Sequence, residues 1–115
     1  MKKAILLLIP LLFLIIALLT IGDYNVNWDE PEHFMRGQAY VRYILTGQKN
    51  YASLATPRRS IYQSDALNAD YFLQNDYGHP PLNDILAALS NSIFYQRLNW
   101  IGDIEAYHLF IILTS

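Results

Sequence analysis

The chain has 115 residues, which leaves room for one small domain at most. It contains no cysteine, so disulfides, thiolate metal sites and a cysteine nucleophile are excluded. Residues 22–105 hold all ten acidic residues and six of the eight basic ones. An acidic stretch of this kind does not indicate a nucleic-acid surface, which needs clustered Lys and Arg.

The first segment, residues 4–21, has no charge, and 14 of its 18 residues are Ile, Leu or Phe. A membrane-spanning helix needs about 20 mainly apolar residues, with a range of about 17–25. These side chains favour insertion by about 4–8 kcal/mol, and Pro10, which we expect to kink the helix, removes only part of this. We therefore predict a transmembrane signal-anchor over residues 1–22. Lys2 and Lys3 favour a cytoplasmic N-terminus and an exterior location for the residues that follow.

A cleaved signal peptide is the alternative for this segment. Its apolar region is typically 7–15 residues long and ends in a small-x-small cleavage site. The sequence after the apolar run, from Thr20 to Tyr24, has no Ala-x-Ala pattern. A retained anchor is the better interpretation.

A helix is predicted over residues 27–47. Asp29 is a candidate N-cap, Pro31 suits the first turn, and Gly47 suits the C-terminal stop. The predicted apolar face consists of Phe34, Val41, Ile44 and Leu45. Gly37 in the middle of the helix is expected to permit close packing.

Residues 48–78 lack clear periodicity, and we predict a long loop with one short helix near residues 64–73. The loop contains adjacent arginines, Arg58 and Arg59. His79, Pro80 and Pro81 then form a rigid, extended segment, because each proline restricts the residue before it.

An amphipathic helix is predicted to begin at Pro81 and to end near Tyr95. Its apolar residues follow helical spacing: Leu82, Ile85, Leu86, Leu89 and Ile93. Its opposite side is polar, with Asn83, Asp84, Ser90 and Asn91. The helix is too short to span a bilayer, so we expect it to lie on the membrane surface or beneath other helices.

From residue 105 to 115 the chain becomes apolar again, which predicts the start of a second transmembrane helix that is cut short. The predicted fold class is therefore mainly α, in a fragment of a membrane protein. It comprises one N-terminal transmembrane helix (1–22), an exterior or periplasmic loop with two amphipathic juxtamembrane helices (23–104), and the beginning of a second span (105–115).

Two short motifs stand behind the first span: Asn27-Trp28-Asp29-Glu30-Pro31-Glu32-His33 and His79-Pro80-Pro81-Leu82. In this order, and at these distances from the span, they resemble the N-terminal part of GT-C glycosyltransferases of the protein O-mannosyltransferase and aminoarabinose transferase type. The resemblance covers nearly the whole chain, although its specific content is small.

The resemblance implies a polytopic enzyme of the plasma or inner membrane. Such enzymes transfer a sugar from a polyprenyl- or dolichyl-phosphate carrier on the exterior face. It also implies that Asp29 is the catalytic carboxylate, with Glu30 beside it. One departure is His108, which stands near the start of the second span where an arginine is common. The remaining spans are absent, so the isolated chain is expected to be inactive.

The chemistry of the first motif has structural alternatives. Transfer onto a hydroxyl needs a base to take its proton, a role open to Asp29, whereas Asp29 as a helix cap would contribute only about 1 kcal/mol. Glu30 could orient an acceptor or only stabilise the helix N-terminus. Asp29 and His33 lie four residues apart and could share a divalent metal. Two ligands are few, and we predict no metal site.

The predicted substrate-binding residues are His79, Arg58, Arg59 and Trp28. A rigid His79 could bond a phosphate oxygen, and guanidinium groups match phosphate geometry. Trp28 could stack on a sugar. The alternatives are a space-filling loop histidine, solvated arginines and ordinary aromatic packing.

The expected function is the N-terminal part of a membrane glycosyltransferase with a lipid-linked sugar donor. The acceptor is a protein, a glycolipid or a cell-wall polymer, and the sugar is left open. The competing hypothesis is a single-span anchored exterior module that binds a partner or a sugar without catalysis.

Overall fold

The computed structural model describes residues 2–23, 26, 28–51, 58–75 and 80–114. Within these ranges the regular structure is helical, and no strand occurs. The α-helices are α1 (Lys2–Leu19), α2 (Glu30–Thr46), α3 (Ala69–Asn75), α4 (Leu82–Asn91) and α5 (Asp103–Thr114). A 3₁₀ turn (Ile21–Asp23) follows α1, and a π-helical segment (Ser92–Arg97) continues α4. The prediction of a mainly α chain is confirmed.

α1 differs from the other helices in the character of its surface. Its large apolar side chains are exposed in nearly every direction, as for Leu6 (70%), Ile9 (68%) and Leu19 (80%), and Ala17 is the buried exception. α1 packs against α5 and the 3₁₀ turn. Among the helices of the described residues, none combines the length and the hydropathy needed to cross a bilayer.

The central unit is formed by α2, α4 and α5. α2 and α4 run in the same direction, since Arg36 near the start of α2 contacts Asp84 near the start of α4, and Gln38 further along contacts Asn91. α5 runs in the opposite direction. Asp103 at its beginning contacts Asn91 at the end of α4, and His108 further along lies beside Glu30 at the beginning of α2.

The prediction for Gly37 is confirmed. A Cβ atom at this position would overlap the main-chain carbonyl of Asp84 and lie 3.1 Å from the Cβ of Ala88. The absence of a side chain therefore allows α2 and α4 to touch along their backbones.

An aromatic cluster holds α2 against α5. The rings of Phe34 and Tyr107 stack with centroids 4.2 Å apart, and Tyr62 meets both rings edge-on. Phe34 and Tyr107 are almost completely buried. Burial of side chains of this size contributes about 1.5–3 kcal/mol each, and the stacked pair adds about 0.5–1.5 kcal/mol.

Several helix ends lie at the residues where the sequence predicts them. Pro31 lies in the first turn of α2, and Gly47 ends it in the left-handed conformation with φ 69°. The prediction of a short helix in the loop is met by α3, although it lies at Ala69–Asn75 rather than at residues 64–73. The helix predicted from Pro81 to Tyr95 is divided between α4 and the π-helical segment.

The predicted apolar face of α2 is confirmed for two of its four residues and wrong for the other two. Phe34 and Val41 are buried, but Ile44 and Leu45 remain more than 60% exposed. The helix turns Gln38 and Arg42 inward instead, and the polar side of α4 is turned inward as well, since Asp84 and Asn91 are buried. The reason is a buried network of side-chain amides that joins the two helices.

Gln38 is the centre of this network. Its Nε2 donates to Asn91 Oδ1 (3.1 Å) and to Tyr107 Oη (2.7 Å), and its Oε1 accepts from Gln63 Nε2 (3.1 Å). Gln96 Nε2 donates to Asn91 Oδ1 at 2.9 Å. Inside a low-dielectric interior such satisfied amide bonds specify one arrangement of helices.

Candidate functional site

Asp29 occupies the turn just before α2, with an exposed side chain. Its backbone is helical (φ −95°, ψ −18°), and its carboxylate makes no capping hydrogen bond. An N-cap normally has extended backbone angles, which aim its side chain at the free N–H groups. Asp29 therefore holds the predicted N-cap position, but its side chain does not make the predicted capping bond.

Glu30 begins α2 and is largely shielded. Its Oε2 lies 3.3 Å from Nε2 of His108 on α5. His108 is buried, and its ring meets Phe34 edge-on with centroids 6.1 Å apart. The first motif is thus connected to α5 through a carboxylate–imidazole pair, an arrangement that can accept or supply a proton.

Asp84 is the second buried carboxylate of the site. Its Oδ2 accepts from Arg36 Nε at 2.5 Å, and its Oδ1 lies 3.1 Å from His33 Nδ1. Arg36 is 4% exposed and Asp84 is 8% exposed, so each charge is neutralised within the protein interior. Removal of either partner would leave an uncompensated buried charge.

The imidazole of His33 has two competing partners. Arg36 Nη2 lies 3.0 Å from the same Nδ1 atom that faces Asp84. A neutral ring with an unprotonated Nδ1 accepts from Arg36, whereas an Nδ1–H group donates to Asp84. The His33 side chain is 43% exposed, so its ring is accessible from the surroundings.

These groups face a common cavity of about 230 Å³. Glu30, His33 and Asp84 form its charged side, and Phe110 and Ile111 of α5 form an apolar side. We call this set of residues, together with Arg36 and His108, the charged site. Carboxylates and imidazoles beside an apolar wall suit proton transfer on a substrate that also has an apolar part.

The described residues contain no group of three or more His, Asp or Glu side chains arranged to hold a metal ion. Of the pair considered in the sequence, His33 lines the cavity of the charged site and Asp29 does not.

The predicted substrate-binding residues are scattered. Trp28 is 94% exposed beside Asp29. Arg58 lies over the ring of Tyr95 (5.7 Å), and Arg59 lies over Tyr51 (5.4 Å). These contacts lie at the far end of α2 and along the π-helical segment, away from the charged site. His79 lies outside the described residues.

The sequence interpretation missed Asp84 and Arg36 as members of the site. Arg36 follows His33 by three residues, the spacing that places two side chains on one face of a helix. That spacing was the available signal for Arg36. Asp84 was assigned only to the polar side of its helix, and its partner is 48 residues away.

Comparison of the chain with protein-family models, with curated proteins and with solved structures finds no match.

Proposed function

We propose that this chain is the N-terminal part of a polytopic membrane glycosyltransferase that uses a polyprenyl- or dolichyl-phosphate sugar. The proposal combines the resemblance of the two motifs to GT-C enzymes with the state of Asp29. Asp29 is the general base that takes the proton of the acceptor hydroxyl. Glu30 lies beside the reacting atoms, and His108 positions its carboxylate.

The single observation that carries the proposal is the free carboxylate of Asp29. An acidic side chain at a helix start usually has a capping role, but this one makes no capping bond and is exposed. It stands directly before Glu30, which reaches the charged site. An exposed carboxylate that makes no capping bond, and that directly precedes a residue of the cavity lining, is suited to act on a substrate.

A membrane location is supported by the surface of α1. Apolar side chains exposed on all sides of a helix are stable in lipid and costly in water. In the proposed arrangement α1, continued by Thr20 and Ile21, is the anchor, and α5 begins the next span.

The catalytic role is tested with the complete product of the gene that contains this sequence. Membranes are assayed for transfer of labelled sugar from polyprenyl-phosphate donors. Asp29→Asn is expected to reduce the rate by about 10²–10⁴-fold, the usual contribution of a general base. The matched control is Asp23→Asn, which neutralises another exposed carboxylate and should leave transfer unchanged. Wild-type transfer by Asp29→Asn would refute the role and favour the anchored binding module.

The location is tested separately by single-cysteine labelling, which is clean because the chain has no native cysteine. We expect a Trp28→Cys variant to react with a membrane-impermeant maleimide in intact cells. A Lys3→Cys variant should react only after lysis. Labelling of position 28 only after lysis would place the motif in the cytosol and contradict the proposal.

A further inference from the structure

A second cavity lies at the opposite end of α2 from Glu30. It has a volume of about 370 Å³ and lies between the C-terminal half of α2 and the π-helical segment. Its polar lining includes Gln38, Gln63, Gln96, Tyr51, Arg42 and Arg97. We call it the amide cavity. Its volume falls at the lower end of the range for small-molecule sites, roughly 300–1,000 Å³.

Two polar atoms of the lining have no hydrogen-bond partner among the described residues. They are the hydroxyl of Tyr51 and Oε1 of Gln63. Tyr51 is 2% exposed and Gln63 is 9% exposed. Folded proteins satisfy nearly all buried polar groups, because an unsatisfied one loses its bonds to water without replacement. A donor and an acceptor left open in one cavity therefore point to a ligand that completes them.

The π-helical segment is an independent indication of function. Widened helical turns are rare and occur frequently at functional sites. Here the segment turns Gln96 inward, where its amide contacts Asn91 and Gln63. It also places Arg97 at the cavity lining.

The charge of the lining is positive. Arg42 is buried and donates to Asn50 O (3.0 Å) and Gln48 Oε1 (2.7 Å). Arg97 adds a second guanidinium, and no Asp or Glu is among the described residues that line the cavity. An anionic group is favoured in such a place, because guanidinium groups bind carboxylate and phosphate in a fixed geometry.

We propose that the amide cavity binds a small hydroxylated anion, of the size and class of a sugar acid or a sugar phosphate. A ligand hydroxyl donates to Gln63 Oε1 and another accepts from the Tyr51 hydroxyl, while the anionic group lies against Arg42 and Arg97. This site is distinct from the charged site and does not depend on the function proposed for Asp29.

Binding is tested by isothermal titration calorimetry on the purified chain in detergent micelles. The probes are gluconate for the carboxylate, glucose 6-phosphate for the phosphate, and glucose as the neutral comparison. At least one anion is expected to bind at millimolar concentration or below, and glucose about tenfold more weakly or not at all. Failure of both anions, or equal binding of glucose, would overturn the proposal.

Two variants locate the ligand. Tyr51→Phe removes one hydroxyl and should weaken binding about fivefold to tenfold without lowering the melting temperature. Arg97→Gln should weaken it about tenfold. The matched controls are Tyr43→Phe and Lys49→Gln, which remove a hydroxyl and a positive charge from exposed positions of the chain. Wild-type affinity in both cavity variants, or equal losses in the controls, would show that the ligand binds elsewhere.

Discussion

The two ends of the central bundle handle buried polarity in different ways. At the charged site, Asp84 is paired with Arg36 and His33, and Glu30 is paired with His108. At the amide cavity, amides and hydroxyls form most of the polar lining beside Arg42 and Arg97, and the Tyr51 hydroxyl and Gln63 Oε1 lack a partner among the described residues. The difference follows from the energies involved: an uncompensated buried charge is far more costly than an unsatisfied neutral group. An amide or hydroxyl can therefore be left open to a ligand at a lower cost than a buried carboxylate such as Asp84.

The largest effect is expected from removing the central charge of the charged site. Asp84→Ala leaves the Arg36 guanidinium buried without a counter-charge, which should destabilise the fold by about 3–5 kcal/mol. Chemical unfolding in micelles measures this loss.

Two further variants control the Asp84 experiment. The double variant Arg36→Met, Asp84→Leu should recover most of the stability, because both charges are removed together. Asp70→Ala breaks the exposed pair with Lys49 and should cost at most about 1 kcal/mol. Equal losses for Asp84→Ala and Asp70→Ala would contradict the difference in burial on which the comparison depends.

At the other end, Gln38→Leu is expected to cost about 3 kcal/mol. The change removes the amide that bonds Asn91, Tyr107 and Gln63, and it leaves their polar atoms in an apolar surrounding. A loss well below 1 kcal/mol would show that the network rearranges around the gap. Thermal unfolding followed by circular dichroism distinguishes the two outcomes.

The close approach of α2 to α4, which lies between the charged site and the amide cavity, is tested at Gly37. Gly37→Ala should destabilise by about 1–3 kcal/mol, since the added Cβ forces α2 and α4 apart at the carbonyl of Asp84. Gly47→Ala is the comparison: no atom lies within 4 Å of its added Cβ, but its φ of 69° is strained for alanine by roughly 1–2 kcal/mol. Only Gly37→Ala should also weaken the pairing of the helices, seen as faster amide exchange in α4.

The smallest effect concerns Tyr51 and its dependence on pH. Burial raises the pKa of the Tyr51 hydroxyl above its ordinary value of 10.0. The unfolded chain releases this proton near pH 10, while the folded chain retains it. The free energy of unfolding therefore keeps its full value below pH 10 and falls as the pH rises further. The stability of Tyr51→Phe should therefore fall less steeply as the pH rises above 10. At pH 7 it should equal or slightly exceed the wild-type stability.

Melting temperatures between pH 8 and pH 11 check this expectation. Tyr43→Phe removes a hydroxyl from an exposed ring of α2 and is the matched control. An identical change of slope in both variants would mean that the effect does not arise from the buried hydroxyl.

Local signals in the sequence predicted much of the helical framework. Gly47 marks the end of α2, Pro31 marks its beginning, and the apolar spacing after Pro81 marks α4, because caps and periodicity act within a few residues. Gly37 was correctly predicted as a point of close approach, since a missing side chain in a helix is informative by itself.

These local signals could not predict which distant residues pair with one another. Nothing near Asp84 in the sequence indicates Arg36, and nothing near Glu30 indicates His108. The same limit explains the error for Ile44 and Leu45, whose exposure depends on the amides that α2 turns toward α4 and the loop at Gln63. Asp29 holds the predicted N-cap position, and its side chain makes no capping bond for a local reason, the helical backbone angles of that residue.

The amino-acid sequence by itself determined that the chain is helical, that its N-terminal helix is apolar on every side, and that acidic residues begin α2. These properties follow from composition and from interactions over a few residues. Only the tertiary structure decided which polar side chains face inward and which carboxylate remains free, because those outcomes depend on helices brought together across dozens of residues. The separation of a charged site from an amide cavity is a result of that packing.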